Sequence, residues 1–186
     1  MTMLETERLI VRNFRSSDWK ALRHMIVQYQ ASAYAAYDYQ WPTSEDEIRK
    51  IAEWFATGDS YWAVCLKDTH QFVGFVSLNT EQGDPQTVNL GYIFDFDYHG
   101  HGFATEACRA AISHVFDQWQ VRRVITGTAA VNAPSCQLLE RLGFKKTAEE
   151  MTSLGDVNDG NPIAFLGYTY EVSSNDWKAA GKPAQY

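Results

Sequence analysis

Apolar residues recur along this chain with a period of two in some stretches and of three to four in others, and the changes between them lay out its elements. Residues 8–14 alternate as a first strand, with Leu9 and Val11 on one face. Ser16, Ser17 and Asp18 then cap a helix to about residue 30, with Leu22, Met25, Ile26 and Tyr29 at helical spacing. Ser44 and Glu47 form a capping-box pair, so a second helix is predicted over 45–57. Residues 61–66 and 71–78 are strands around the polar turn 67–70, a hairpin. A turn at 81–86 leads to a strand over 87–94, a long helix over about 102–118 and a strand rich in β-branched residues over 121–130. Asn132 caps a short helix with Pro134 in its first turn, and Gly143 ends it. Residues 144–150 and 163–170 read as two antiparallel strands around a loop over 151–162. From Ser173 onward the chain reads as an unpacked tail except for Trp177. Strands and helices mixed in this order imply an α/β or α+β sheet.

The most informative stretch is residues 92–107, YIFDFDYHGHGFATEA, a strand that runs into a glycine loop opening a helix. Gly100 and Gly102 flank His101, so the backbone there can take positive φ and bare N–H groups can approach a ligand. Ala104, Ala107, Ala111 and Val115 give the following helix one apolar face. Its first N–H groups lack partners and sit at the positive end of the helix dipole, a natural seat for phosphate. The same residues also suit a plain strand-to-helix turn. Two known phosphate loops are excluded, because there is no G-x-x-x-x-G-K-[ST] and the third glycine of a dinucleotide fingerprint is replaced by Thr105.

The chain has 186 residues, enough for one domain with a substantial core. Its net charge of −7 argues against a nucleic-acid surface and suits attraction of cationic amines. Cys65, Cys108 and Cys136 offer neither a disulfide framework nor a metal spacing, and with no membrane span or signal peptide expected, a reducing cytoplasmic setting is predicted.

About thirty residues past the loop comes NAPSCQLLERLGF, residues 132–144. Together with LETERLIVR at 4–12 and YHGHGFATEA at 98–107, it makes the chain resemble the GNAT superfamily of acetyl-coenzyme A dependent N-acetyltransferases, most closely the ribosomal-protein-alanine branch. The resemblance implies a mixed, mostly antiparallel sheet of about seven strands flanked by about four helices, with residues 1–172 as the single domain and 173–186 as a C-terminal tail. It implies transfer of acetyl from acetyl-coenzyme A, as co-substrate and without a metal, to a primary amine by direct attack in a ternary complex. A small molecule or a peptide N-terminus is the expected acceptor, neither nucleic acid nor membrane is expected as a partner, and a monomer or homodimer is expected. An acetyl-coenzyme A sensor without turnover and an enzyme for another acyl group are the alternatives.

By the same resemblance, the main chain of His99, Gly100, His101, Gly102, Phe103 and Ala104 grips the pyrophosphate. Asp97 stands where the family has Gln or Arg, so its carboxylate is expected to face away from the phosphates. Tyr92, Ile93 and Phe94 splay from the next strand and bind the pantetheine arm and thioester carbonyl through their main chain. Asn132 holds the pantetheine or simply caps its helix. Ser135 protonates the departing thiolate or caps its own backbone. Glu81 is the candidate base, with Asp38, His24 or a chain of waters also open. Glu106 reads as a structural first-turn acid, and Cys136 as a small buried hydrophobe rather than an acetyl-carrying nucleophile. Tyr34, Tyr37, Asp38 and Trp41, in an aromatic-rich run, are candidates for an acceptor pocket that holds an amine by cation–π contact and charge, though their rings also suit the core.

Overall fold

The computed structural model of the protein describes residues 3–154 and 163–181. Its strands are β1 (Met3–Glu5), β2 (Leu9–Asn13), β3 (Tyr61–Leu66), β4 (Phe72–Glu81), β5 (Asp84–Phe94), β6 (Arg123–Ala129), β7 (Lys145–Leu154) and β8 (Ile163–Ser173). They form one eight-stranded sheet in the order β1-β2-β3-β4-β5-β6-β8-β7. Every neighbouring pair is antiparallel except β5 and β6. The extra strand over the expected seven is β1, too short to show alternation in the sequence but paired with β2 from Met3↔Arg12 to Glu5↔Ile10.

Five α-helices are described: α1 (Trp19–Gln30), α2 (Glu45–Thr57), α3 (Phe103–His114), α4 (Ala133–Arg141) and α5 (Ser174–Ala179). Residues 174–179, expected as part of an unpacked tail, form a helix instead, because Ser173 caps α5 through Asp176 and Trp177 is buried. The long helix stops being α-helical at His114 and continues as a π-helical turn, Val115–Trp119. Asp18 makes no side-chain cap on α1; its carboxylate instead takes both Arg12 guanidinium nitrogens, at 2.8 and 2.9 Å, and the Arg15 N–H. Ser44 does cap α2, accepting from the Glu47 N–H while its hydroxyl meets the Glu47 carboxylate. The expected loop 151–162 is shortened by the extension of β7 to Leu154, and 155–162 lie outside the described residues.

Alternation along the strands sends side chains to two cores. Leu9, Val11, Trp62, Val64, Val76, Val88 and Val124 point to one face, where α3 lays Ala107, Cys108, Ala111 and Ile112 on them and α4 adds Leu138 and Leu139. Ala63, Cys65, Phe72 and Phe75 point to the other, against Leu22, Met25 and Ile26 of α1 and Ile48, Ala52 and Phe55 of α2. Among the described residues no helix is long and apolar enough to cross a membrane.

The site is made by what β5 and β6 do not share. They pair only at Thr87↔Arg123, Val88↔Val124 and Asn89↔Ile125. Beyond that, β5 stays with β4 as far as Phe94↔Gly74, and β6 follows β8 to Ala129↔Gly167. The two parallel strands therefore part like a V, and among the described residues the edge of β5 from Leu90 to Phe94 has no strand partner on that side.

Candidate active site

A cavity of about 260 Å³ fills the opening of the V. Asn89, Leu90, Gly91 and Tyr92 of β5 form one wall and residues 126–129 of β6 the other, while α4 presents Asn132 and Ser135. At the N-terminus of α4 the capping role falls to Asn132, whose Oδ1 accepts from the Ser135 N–H at 3.3 Å. The Ser135 hydroxyl is therefore not needed as a cap, and its Oγ lies 2.8 Å from the Tyr92 hydroxyl. Beyond α4, Gly143 at φ 86° carries the Schellman bonds, from its own N–H to Glu140 O and from the Phe144 N–H to Leu139 O, that set the helix end. Cys136 is half-buried against the main core.

The roof of the cavity comes from the end of α1 and the segment after it. Tyr34, Tyr37 and Asp38 of the aromatic run line it, together with Tyr29, whose spacing reads only as a core-facing helix residue. Tyr29 donates its hydroxyl to Asp38 Oδ2 at 2.6 Å, and Asp38 Oδ1 accepts from the Tyr39 N–H at 2.7 Å. Burial first, and then the Asp38 charge, push the Tyr29 phenol pKa well above the usual tyrosine value. Tyr37 is steadied edge-on by Phe165 of β8, with ring centroids 5.4 Å apart.

Trp41 does not reach the cavity. The chain is extended at Asp38, and Trp41 turns into the second core, edge-on to Phe55 at 6.3 Å and Phe75 at 6.1 Å. Glu81 is also not on the cavity wall; Asn89, which is, donates its amide to Glu81 Oε1 at 3.0 Å. Asn89, Thr126 and Thr128 were not singled out in the sequence, since their exposure to the cavity follows from the parting of the strands.

At the far end of β5 the glycine loop has the backbone its sequence called for, with Gly100 at φ 80° and Gly102 at φ 82°. The N–H groups of Gly100, His101, Gly102, Phe103 and Ala104 find no acceptor among the described residues, the first helical bond being Glu106 N–H to Gly102 O. His99 differs from the other five, because its N–H is taken by Phe96 O at 3.2 Å; its ring stacks on Phe96 at 4.5 Å, with Nε2 3.0 Å from Phe94 O. The His101 ring is exposed and stacked on Phe103.

Two arginines brace this loop. Arg8 donates to His101 O at 2.9 Å, lies over the Phe103 ring at 4.8 Å and pairs with Glu106 at 2.6 Å. Arg141 reaches from α4 to Thr105 Oγ1 at 3.1 Å. Neither was picked out in the sequence; each lies in a segment that had been recognised, but only the fold brings them to the loop. Asp97 turns its carboxylate toward α1, 3.9 Å from His24 and 3.5 Å from the Gln28 amide. His24 is thereby engaged with Asp95 and Asp97 and is not on the cavity wall.

Five free amides at a helix N-terminus suit a diphosphate, and the unpaired edge of β5 suits an extended amide-bearing arm. Such a layout suits a long donor with an anionic end at the loop and a reactive end at the cavity, as a coenzyme A thioester would have. Sequence comparison gives the family: the acetyltransferase (GNAT) domain profile matches residues 8–145, and the protein belongs to the GNAT N-acetyltransferases. The chain is 26% identical over 154 residues to the [ribosomal protein uS5]-alanine N-acetyltransferase of Escherichia coli (strain K12), covering 77% of this chain and 78% of that one. The fold is shared with an acetyltransferase (GNAT family) from Bacillus anthracis, at a TM-score of 0.80 and 21% identity over 94% of this chain and 99% of that one. It is shared also with RimL, a ribosomal L7/L12 alpha-N-protein acetyltransferase in complex with coenzyme A, which is joined there to a cysteine by a disulfide, at a TM-score of 0.75 and 17% identity over 92% of this chain and 98% of that one.

Proposed function

We propose that the protein transfers the acetyl group of acetyl-coenzyme A to the α-amine of a peptide or a comparable small amine, by direct attack in a ternary complex. The observation that carries this reading is the Ser135 hydroxyl, relieved of capping by Asn132 and placed in the cavity where β5 and β6 part. Coenzyme A bound to RimL, and the ribosomal-protein substrates in the names of RimL and the E. coli relative, support the donor and the peptide acceptor.

When bound, the donor supplies an activated thioester. The amides of residues 100–104 hold its diphosphate, and the free edge of β5 at Tyr92, Ile93 and Phe94 holds the pantetheine arm. A β5 N–H donor at the thioester oxygen stabilises the tetrahedral oxyanion, an interaction worth roughly 3 kcal/mol in other enzymes. The acceptor enters beneath Tyr34 and Tyr37 as an ammonium drawn by Asp38. An α-amine, with a pKa of about 8 against about 10.4 for lysine, loses its proton at lower cost. Asp38, in the cavity wall, is better placed than Glu81 behind Asn89 to take that proton. Nitrogen attacks the carbonyl carbon, and as the C–S bond breaks its electron pair goes to sulfur. Ser135 gives its proton to sulfur and regains one from water. Of the two protons nitrogen loses, one balances the new thiol and the other reaches bulk solvent.

Release of coenzyme A thiol, followed across a panel of peptide and small-molecule amines in wild type and Ser135→Ala, tests this. The substitution is expected to lower kcat by roughly 10²-fold and leave cofactor affinity nearly unchanged, as for loss of a general acid. Wild-type turnover in Ser135→Ala removes the serine from the mechanism, and absence of thiol release with every amine leaves a binding protein.

A further inference from the structure

We infer that Tyr92 is a positioning residue for this transfer: its phenol donates to Ser135 Oγ across the parted strands and leaves the serine's single proton to point at the departing sulfur. The inference rests on Ser135 acting as proposed above and adds to it a role for the Tyr92 side chain, whereas only its main chain had a task. The two hydroxyls are 2.8 Å apart, and the distance alone does not say which donates. Chemistry decides the direction. A phenol is more acidic than an aliphatic alcohol and is the better donor, whereas serine has one proton and two lone pairs. If Ser135 donated to Tyr92, its proton would be spent on the phenol, and the phenol's own would lack an acceptor among the described residues.

With Tyr92 donating, every group has a use. Asn132 Oδ1 takes the Ser135 N–H, the Tyr92 O–H occupies one Ser135 lone pair, and the Ser135 O–H faces the cavity. The two hydroxyls in series also polarise one another, which strengthens the bond offered to a thiolate. Burial raises the Tyr92 phenol pKa above the usual tyrosine range, so it stays protonated wherever an amine is free to attack. In the step itself Tyr92 keeps its proton: the serine proton moves to sulfur, and the serine oxygen, held in place by the phenol, takes its replacement from water.

The test is a cycle of four proteins, wild type, Tyr92→Phe, Ser135→Ala and the double variant, each assayed for kcat, KM for acetyl-coenzyme A and cofactor affinity by calorimetry. Tyr92→Phe keeps the ring and deletes one oxygen, and is expected to lower kcat about tenfold with KM and affinity unchanged. In the Ser135→Ala background the same substitution should change kcat less than about twofold, because its only route of action is gone. A packing role would give losses that multiply in the double variant, and that result overturns the inference. Wild-type kcat in Tyr92→Phe, or failure of that variant to fold or bind cofactor, overturns it equally. A defect in Ser135→Ala beside an intact Tyr92→Phe sinks only this inference, whereas full activity in Ser135→Ala sinks the reading beneath it.

Discussion

Single residues at the loop and the cavity hold conformations and contacts that their neighbours cannot supply. Gly102 is the clearest, since φ 82° lies where a side chain is strained, and an added Cβ would stand 3.4 Å from Arg8 Nη2. Gly102→Ala is expected to cost about 1–2 kcal/mol at that conformation. The loop would relax by turning amides away from the diphosphate, so KM for acetyl-coenzyme A should rise about tenfold while kcat at saturation is nearly preserved. Steady-state kinetics over a range of cofactor concentration measure this, and an unchanged KM would mean that the loop amides do not grip the donor. Asp38 shows the opposite case, in which the residue type was legible but its setting was not. Its bond to Tyr29 joins two positions whose helical and loop patterns give no sign of each other.

Between elements, Glu106 turns out to be more than a helix-dipole acid. From the first turn of α3 its Oε1 accepts from the Thr6 hydroxyl at 2.6 Å and the Arg8 N–H at 2.9 Å, and its Oε2 meets the Arg8 guanidinium. It thus ties the helix that follows the glycine loop to the turn between β1 and β2. Desolvation alone would raise its pKa, but the Thr6 and Arg8 hydrogen bonds and the Arg8 charge outweigh it and hold the carboxyl below its ordinary 4.5. The stabilisation is therefore complete above 4.5 and is lost as pH falls through the lower folded-state value. Glu106→Gln should lower stability at neutral pH by about 1 kcal/mol, a modest figure because Arg8 is largely exposed. The gap from wild type should narrow on acidification, as read by urea denaturation at several pH values; a gap constant with pH would show that the clamp is not ionic. The parting of β5 from β6 belongs to this scale as well. Where β5 stays with β4, Phe94 closes over Gly74 so tightly that a Cβ there would come within 2.5 Å of the ring, so the pairing at this end accepts only glycine without a shift.

Across the whole molecule, the core that backs the cavity also extends well beyond it, so parts of it serve stability at a distance from the site. The α5 helix shows this, because Trp177 is buried against Phe116 with ring centroids 6.1 Å apart and donates its indole N–H to Ser113 Oγ at 3.2 Å, yet lines no part of the cavity. Trp177→Ala is expected to cost about 3 kcal/mol of stability, the usual range for losing a buried Trp. kcat and KM at a temperature where the variant is folded should match wild type. Thermal denaturation beside kinetics checks both, and an altered kcat would show that the α5 side of the core communicates with the cavity.

Local physics made much of this protein readable from its sequence. Alternation placed Leu9 and Val11 on one face of β2, the Ser44–Glu47 pair fixed the start of α2, and two glycines around His101 allowed the left-handed turns found in the loop. Each depends on residues within one or two turns of each other. What only the tertiary structure decided involves partners far apart in the chain. That Tyr92 meets Ser135, that Trp41 packs in the second core rather than on the cavity wall and that Arg8 and Arg141 flank the loop all depend on how the fold brings distant segments together. A sequence pattern states which conformations a segment favours. It does not state which of several polar neighbours will be within about 3 Å once the chain has closed.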